Sequence, residues 1–215
     1  MKVGETPEVQ ALYAGVRRIL DMTDAHGRKV GNCKCGVYLF YDYDGEPIYV
    51  GRTVESLRQR IGRHLTGQRS DAVAKSVLDP FEVAEIEIWP FWNLTGKDRE
   101  ILNRAEYTVY QRALRKSAFN IILNEEEIPI AESIELPPSV RGAILLKEAR
   151  AAREHPDVRL ARRARTIANL ARVISERKVH AGIRRTLWAQ AQRLEQLAKT
   201  RLDSVAAKSK KDTQA

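Results

Sequence analysis

Apolar positions along the 215-residue chain change period several times, and each change marks an element. Val9, Leu12, Val16 and Leu20 recur at helical spacing and predict a helix over 8–22. A polar, Gly-containing stretch at 23–35 reads as a loop. Two short apolar runs, 36–43 and 47–51, then predict a pair of strands. Asp44-Gly45 between them supplies a tight turn, because glycine takes positive φ at no steric cost. Leu57, Ile61 and Leu65 place one apolar face on a helix over 55–66. Polar residues 66–71 break it, and a short helix at 71–78 follows. Ala84, Ile86 and Ile88 alternate with Glu85 and Glu87, the pattern of a half-buried strand within 82–89. Ile101, Leu102, Ala105 and Val109 predict an amphipathic helix over 97–116, and Phe119 to Leu123 a short strand.

Beyond residue 124 the character changes. The stretch to Pro137-Pro138 is acidic and Pro-containing and reads as a linker. Ala, Arg and Leu then dominate, with three helices predicted at about 139–154, 157–178 and 183–206. His155-Pro156 and Gly182 mark the breaks. One stripe runs through Leu160, Ala164, Ile167, Ala171 and Ile174, and another through Ile183, Leu187, Ala191, Leu194 and Ala198. Both suit a helical bundle or a dimer seam. The expected organisation is an N-terminal helix and loop (1–30), an α+β body (31–125), a linker (126–138), a basic all-α region (139–206) and a disordered tail (207–215).

Composition narrows the class. With 43% hydrophobic residues the chain can bury a core, so wholesale disorder is excluded. No apolar run approaches the roughly 20 residues that span a membrane. The acids early in the first residues argue against a signal peptide. Cys33 and Cys35, the only cysteines, are too close for an easy disulfide and too few for a zinc site. Two reduced thiols point to the cytoplasm. Charge is divided unevenly. Residues 139–215 hold 19 Lys and Arg against 7 Asp and Glu, whereas residues 1–138 hold 18 against 21. A basic C-terminal third would attract phosphates without regard to sequence, or would simply be a solvated helical surface.

Several polar residues fall where chemistry needs them. The predicted hairpin brings Tyr38 and Tyr49 to neighbouring strands. Arg60 and His64 lie four apart on the next helix and so share a face. Glu106 sits beside the apolar face of the 97–116 helix, where a bound cation would offset its partial desolvation. Asn120 begins the last predicted strand. Taken singly, each has an ordinary reading: packed phenols, a surface Arg, a helix-face His, a Glu paired with Arg104 or Arg112, a strand-end Asn.

Together they carry a resemblance. Gly36-Val37-Tyr38 and Tyr49-Val50-Gly51, a hairpin apart, then Arg60, Glu106 and Asn120 in order, resemble the catalytic signature of the GIY-YIG nuclease superfamily. The resemblance covers residues 34–125. Gly-Val-Tyr replaces Gly-Ile-Tyr, and Arg58 is a second candidate for the family's Arg. The resemblance implies an α+β fold: a small, mostly antiparallel sheet flanked by helices, here followed by the basic helical region. It also implies one Mg2+ or Mn2+ held by Glu106, with an attacking water activated near Tyr38. Tyr49 would then position water or phosphate, Arg60 would stabilise developing charge, and His64 would assist proton transfer. Gly51 would let the backbone approach substrate.

The expected function is a metal-dependent DNA endonuclease, of restriction or defence type given its small size. A structure-selective repair or recombination nuclease, or a non-catalytic nucleic-acid-binding module on the same fold, is the alternative. Substrate contacts are expected from Arg58, from Arg69 in the 66–71 loop, and from the cluster Arg159, Arg162, Arg163 and Arg165. Cutting both strands with a single site would take two nicks or a homodimer.

Overall fold

A computed structural model describes residues 6–66, 77–124 and 126–212. Arg69 and nearly all of the 71–78 helix lie outside the described residues.

The centre is a four-stranded antiparallel sheet in the order β2-β1-β3-β4. Its strands are β1 (Gly36–Tyr41), β2 (Pro47–Thr53), β3 (Glu85–Pro90) and β4 (Val140–Ala143). The β1–β2 turn forms as the sequence dictates. Gly45 has φ 73°, and the Asp42 carboxylate accepts from the backbone N–H groups of Asp44 (2.9 Å) and Glu46 (3.1 Å). All six residues of β1 are buried, because β1 is flanked by two strands and covered on both faces.

On one face Tyr38, Phe40, Ile86 and Ile88 join α1 (Pro7–Leu20) and α2 (Leu57–Leu65) in the larger core. On the other, Val37, Leu39, Val50 and Trp89 pack against Ala105, Val109 and Ala113 of α3 (Arg99–Lys116). Ile101, placed inward from its spacing, is instead 38% exposed. Ile128, Ile134 and Leu136 of the linker also pack on this second core, so 126–138 lies along the domain. Cys33 and Cys35 are buried free thiols, and burial raises both pKa values.

The largest departures from the sequence reading lie after residue 118. Phe119–Leu123 is not a strand. Asn120 turns the chain in the left-handed region (φ 52°), and one backbone bond, Leu123 N–H to Ile48 O at 2.8 Å, ties the segment to β2. The fourth strand comes from residues expected to be helical. Val140–Ala143 pairs with β3, with Arg141 and Glu85 joined at 2.7 Å, and α4 (Lys147–Glu154) starts only afterwards. Short, mixed Val-Arg-Gly-Ala shows no period of 2 by itself; β3 supplies its order. α1 holds this strand from outside. Arg18 donates to Ala143 O (2.8 Å) and Ile144 O (3.1 Å), and a Cβ on Gly15 would lie 1.8 Å from Ile144 O.

Two long helices follow, α5 (Pro156–Glu176) and α6 (Ala181–Asp212). Pro at the first position and the His155 cap start α5 as expected, but the second break is at 177–180 rather than Gly182. α6 continues helically to Asp212, past the end expected near 206. No helix among the described residues is long and apolar enough to cross a membrane.

Candidate active site

The site lies at the open edge of β2, where residues from both faces of the sheet reach one cleft. Strand alternation sends Tyr49 and Gly51 to the α2 face and Arg52 to the α3 face. The cleft has a volume of about 520 Å3 and is lined by Tyr49, Gly51, Arg52, Arg60, Glu106 and Asn124, among others. A second cleft of about 490 Å3, between Arg28 and Trp92, is lined mainly by apolar groups and holds none of the residues named for chemistry.

Tyr38, Tyr49 and His64 form one buried aromatic group. The Tyr49 and His64 ring centres are 4.6 Å apart, Tyr38 and His64 6.0 Å, and Tyr38 and Tyr49 6.4 Å. Arg60, one turn before His64 on α2, lies near the Tyr38 and Tyr49 phenols. Burial works against the Arg60 charge. Tyr38, Tyr49 and Glu55 more than offset it, and the net effect raises the Arg60 pKa. Tyr38 is wholly buried and does not line the cleft, whereas Tyr49 does. Tyr49 thus faces the cleft, and Tyr38 lies behind it in the core.

Gly51 lines the cleft and also has a packing role. It pairs with Tyr38 across the ladder, and a Cβ there would sit 2.5 Å from the Cζ and Oη of Tyr38. Its missing side chain makes room for the Tyr38 ring. Gly51→Ala is expected to destabilise the domain by about 1–3 kcal/mol, as overpacking does. Urea unfolding measures that loss, and a changed near-UV tyrosine signal should accompany it.

From the other face, Glu106 on α3 meets Arg52, with Arg52 Nε donating to Oε2 at 2.9 Å. This side chain is only 15% exposed. Burial raises the Glu106 pKa against the pull of Arg52 and, more weakly, Arg60. Arg104, one alternative partner for Glu106, instead pairs with Glu132. Arg52 was missed in sequence because it stands outside the triplets. Its position directly after Gly51, facing the opposite side of the sheet, was the available signal.

The Asn at this site is Asn124. Its Nδ2 donates to Val50 O at 2.8 Å, and its Oδ1 accepts from Val50 N–H at 3.2 Å. It thus satisfies the free edge of β2 where a further strand would pair. Asn120 is exposed, outside the cleft, and serves the turn.

The other expected substrate contacts are elsewhere. Arg58 faces α1, donating to Asp21 Oδ1 at 2.6 Å and Leu20 O at 3.2 Å. Arg159, Arg162 and Arg163 are turned inward against the acids of the hairpin and of the 80–82 turn. Arg159 grips Asp44 with two bonds (2.8 and 2.6 Å). Arg163 reaches Asp42 (2.8 Å) and Glu82 (3.1 Å), and Arg162 reaches Glu82 (2.8 Å). Arg193 of α6 adds Glu46 at 3.4 Å. Of the four, only Arg165 is exposed. These arginines clamp the C-terminal helices to the sheet, and burial among carboxylates removes them from any phosphate.

Four carboxylates line the cleft: Glu55 pairs with Arg63, Glu127 pairs with Arg185, Glu126 is exposed, and Glu106, partly buried beside Arg52, is the one that could hold a divalent cation. Its Oε1 has no protein donor among the described residues, and no group of three metal-ligating side chains converges there. One carboxylate ligand on an open cleft fits Mg2+, which keeps several waters and shares substrate phosphate oxygens.

Two phenols, a guanidinium, an imidazole and a carboxylate gathered at the edge of a small antiparallel sheet define a nuclease-type domain. Residues 34–109 match the family model of the GIY-YIG catalytic domain, so this part of the chain is a domain of the GIY-YIG nuclease type. Neither a curated protein nor a solved structure matches it.

Proposed function

We propose that the protein is a metal-dependent DNA endonuclease that hydrolyses phosphodiester bonds in this cleft. The observation that carries the reading is that Tyr49, Arg52, Arg60 and Glu106, brought from three elements, line one open cleft. A bound Mg2+ or Mn2+ on Glu106 would polarise the phosphate and help the leaving oxygen. The residues of the chain do the rest. Tyr49 orients the attacking water and receives its proton. A phenol is a weak base at neutral pH, and a cation on Glu106 would help by acidifying the attacking water. Water oxygen bonds phosphorus, the P–O ester bond breaks, and the leaving alkoxide takes a proton from solvent. Arg60, which lines the cleft, offers donors to the non-bridging oxygens as their charge grows. His64, packed on Tyr49, fixes that ring.

Supercoiled plasmid with Mg2+ tests the reading. Cleavage by the protein, lost on adding EDTA and in Tyr49→Phe, is the expected result. Discrete fragments would favour restriction. Nicked circles, or cutting confined to branched substrates, would favour structure-selective repair. No cleavage of plasmid, branched or single-stranded DNA with Mg2+ or Mn2+ would sink the reading.

A further inference from the structure

We infer that the turn joining α5 to α6, with the first two turns of α6, is the nucleic-acid backbone-binding surface next to the cleft. Arg177, Lys178 and Arg184 hold phosphates there, and Trp188 lies against the sugar or base of the same strand. This rests on the nuclease reading for the identity of the ligand, but its geometry stands alone.

Three observations carry it. First, the arginines expected to bind phosphate are not available. Arg159, Arg162 and Arg163 are committed to Asp44, Asp42 and Glu82. Second, residues 177–188 contain Arg177, Lys178, Arg184 and Arg185 and no acid. Arg177, Lys178 and Arg184 are exposed and have no hydrogen-bond or ion-pair partner for their side chains among the described residues. Trp188 is 55% exposed, and Arg184 lies one turn before it on the same face of α6. A cation and an exposed indole side by side form a stacking platform with a phosphate holder, as single-strand and backbone readers use. Third, this surface joins the cleft wall. Arg185 donates to Glu127 Oε1 at 2.6 Å, and Thr186 Oγ1 donates to Asn124 O at 3.4 Å. Asn124 and Glu127 also line the cleft. A strand leaving the cleft past Glu127 therefore passes a surface whose acid is already neutralised by Arg185. Charge complementarity favours a polyphosphate here over an acidic peptide, because the regular spacing of phosphates can engage all three free cations at once.

The test measures binding, not cleavage. Anisotropy of a labelled DNA duplex and of a labelled single strand is followed in EDTA over a range of salt. The wild type is compared with an Arg177→Ala, Lys178→Ala, Arg184→Ala protein. A control protein carries Lys97→Ala, Lys147→Ala and Lys199→Ala, which removes the same charge from exposed positions elsewhere. Both triple variants should keep the wild-type melting temperature, since no removed side chain has a hydrogen-bond or ion-pair partner among the described residues. The expected result is a loss of about tenfold or more in affinity for the turn variant only, and a slope of log K on log salt shallower by about 3. Quenching of tryptophan emission on DNA addition should disappear in Trp188→Phe. Equal weakening by the control would overturn the assignment, as would unchanged binding by the turn variant. Binding that fails at the turn while plasmid is still cut overturns this inference alone. Binding at the turn by a protein that never cleaves overturns only the nuclease reading.

Discussion

Glu106→Gln is expected to lower DNA cleavage by on the order of 10²–10³-fold, the loss seen when one preorganised charge is removed from a phosphoryl or acyl transfer site. The neutral amide keeps the shape of the side chain, so the loss reports charge. Mn2+ binding, followed by electron paramagnetic resonance, should weaken with it. Melting temperature should stay level or rise, because burial already disfavours the charged Glu106 and its pKa is raised. The sign follows from that direction. The carboxylate is in its metal-binding form only above a pKa higher than the ordinary carboxylate, so activity should fall on the acid side sooner than for a solvated Glu. Arg52 opposes that shift through the bond to Oε2. Arg52→Gln should therefore move the acid limb of Mn2+ binding to higher pH. At alkaline pH the same variant should bind Mn2+ more tightly, since the competing guanidinium is gone. Unchanged Mn2+ binding in Glu106→Gln would remove Glu106 from the metal site even if cleavage were lost.

The second large effect is on stability. Arg163→Ala is expected to destabilise the protein by about 3–5 kcal/mol, because it leaves buried carboxylates short of a partner. Asp42 is 3% exposed and Glu82 is 6% exposed, and Arg163 touches both. Burial raises the Asp42 pKa although Arg163, Arg193 and Arg159 pull it down, so loss of one guanidinium raises it further. For a chain of this size the melting temperature should drop by on the order of 10 °C. Arg165→Ala, one turn from Arg162 but exposed, should stay within about 0.5 kcal/mol. Thermal unfolding of the two variants separates them, and equal values would show that the clamp is not what holds the helices. The same clamp makes deletion of residues 139–215 a poor probe of DNA binding. That deletion would strip β4 from the sheet and leave Asp42, Asp44, Glu46 and Glu82 without Arg159, Arg162, Arg163 and Arg193. The C-terminal region is thus part of the same packed body as the sheet.

What the sequence by itself determined is the part written in short-range spacing. The Asp44-Gly45 turn, the two triplets beside it and the four-residue step from Arg60 to His64 act over distances that local geometry sets. Tyr38, Tyr49, Arg60 and His64 therefore stand together as the spacing predicts. Glu106 was legible from its place beside an apolar helix face. What only the tertiary structure decided is the partner each charged or amide side chain meets. Arg52 and Glu106 are 54 residues apart, and Arg159 and Asp44 are 115 apart. An arginine in Arg-Arg-Ala-Arg carries no mark of whether acids or water will face it. That choice depends on which element folds over it, and here the acids of the hairpin and of the 80–82 turn take three of the four. The same reason moved the site's amide from Asn120 to Asn124. Both lie in one short segment, and only the free edge of β2 selects the one whose donor and acceptor match the Val50 backbone. β4 shows it for secondary structure: four residues with no period of their own become a strand because β3 offers unpaired backbone groups at that edge.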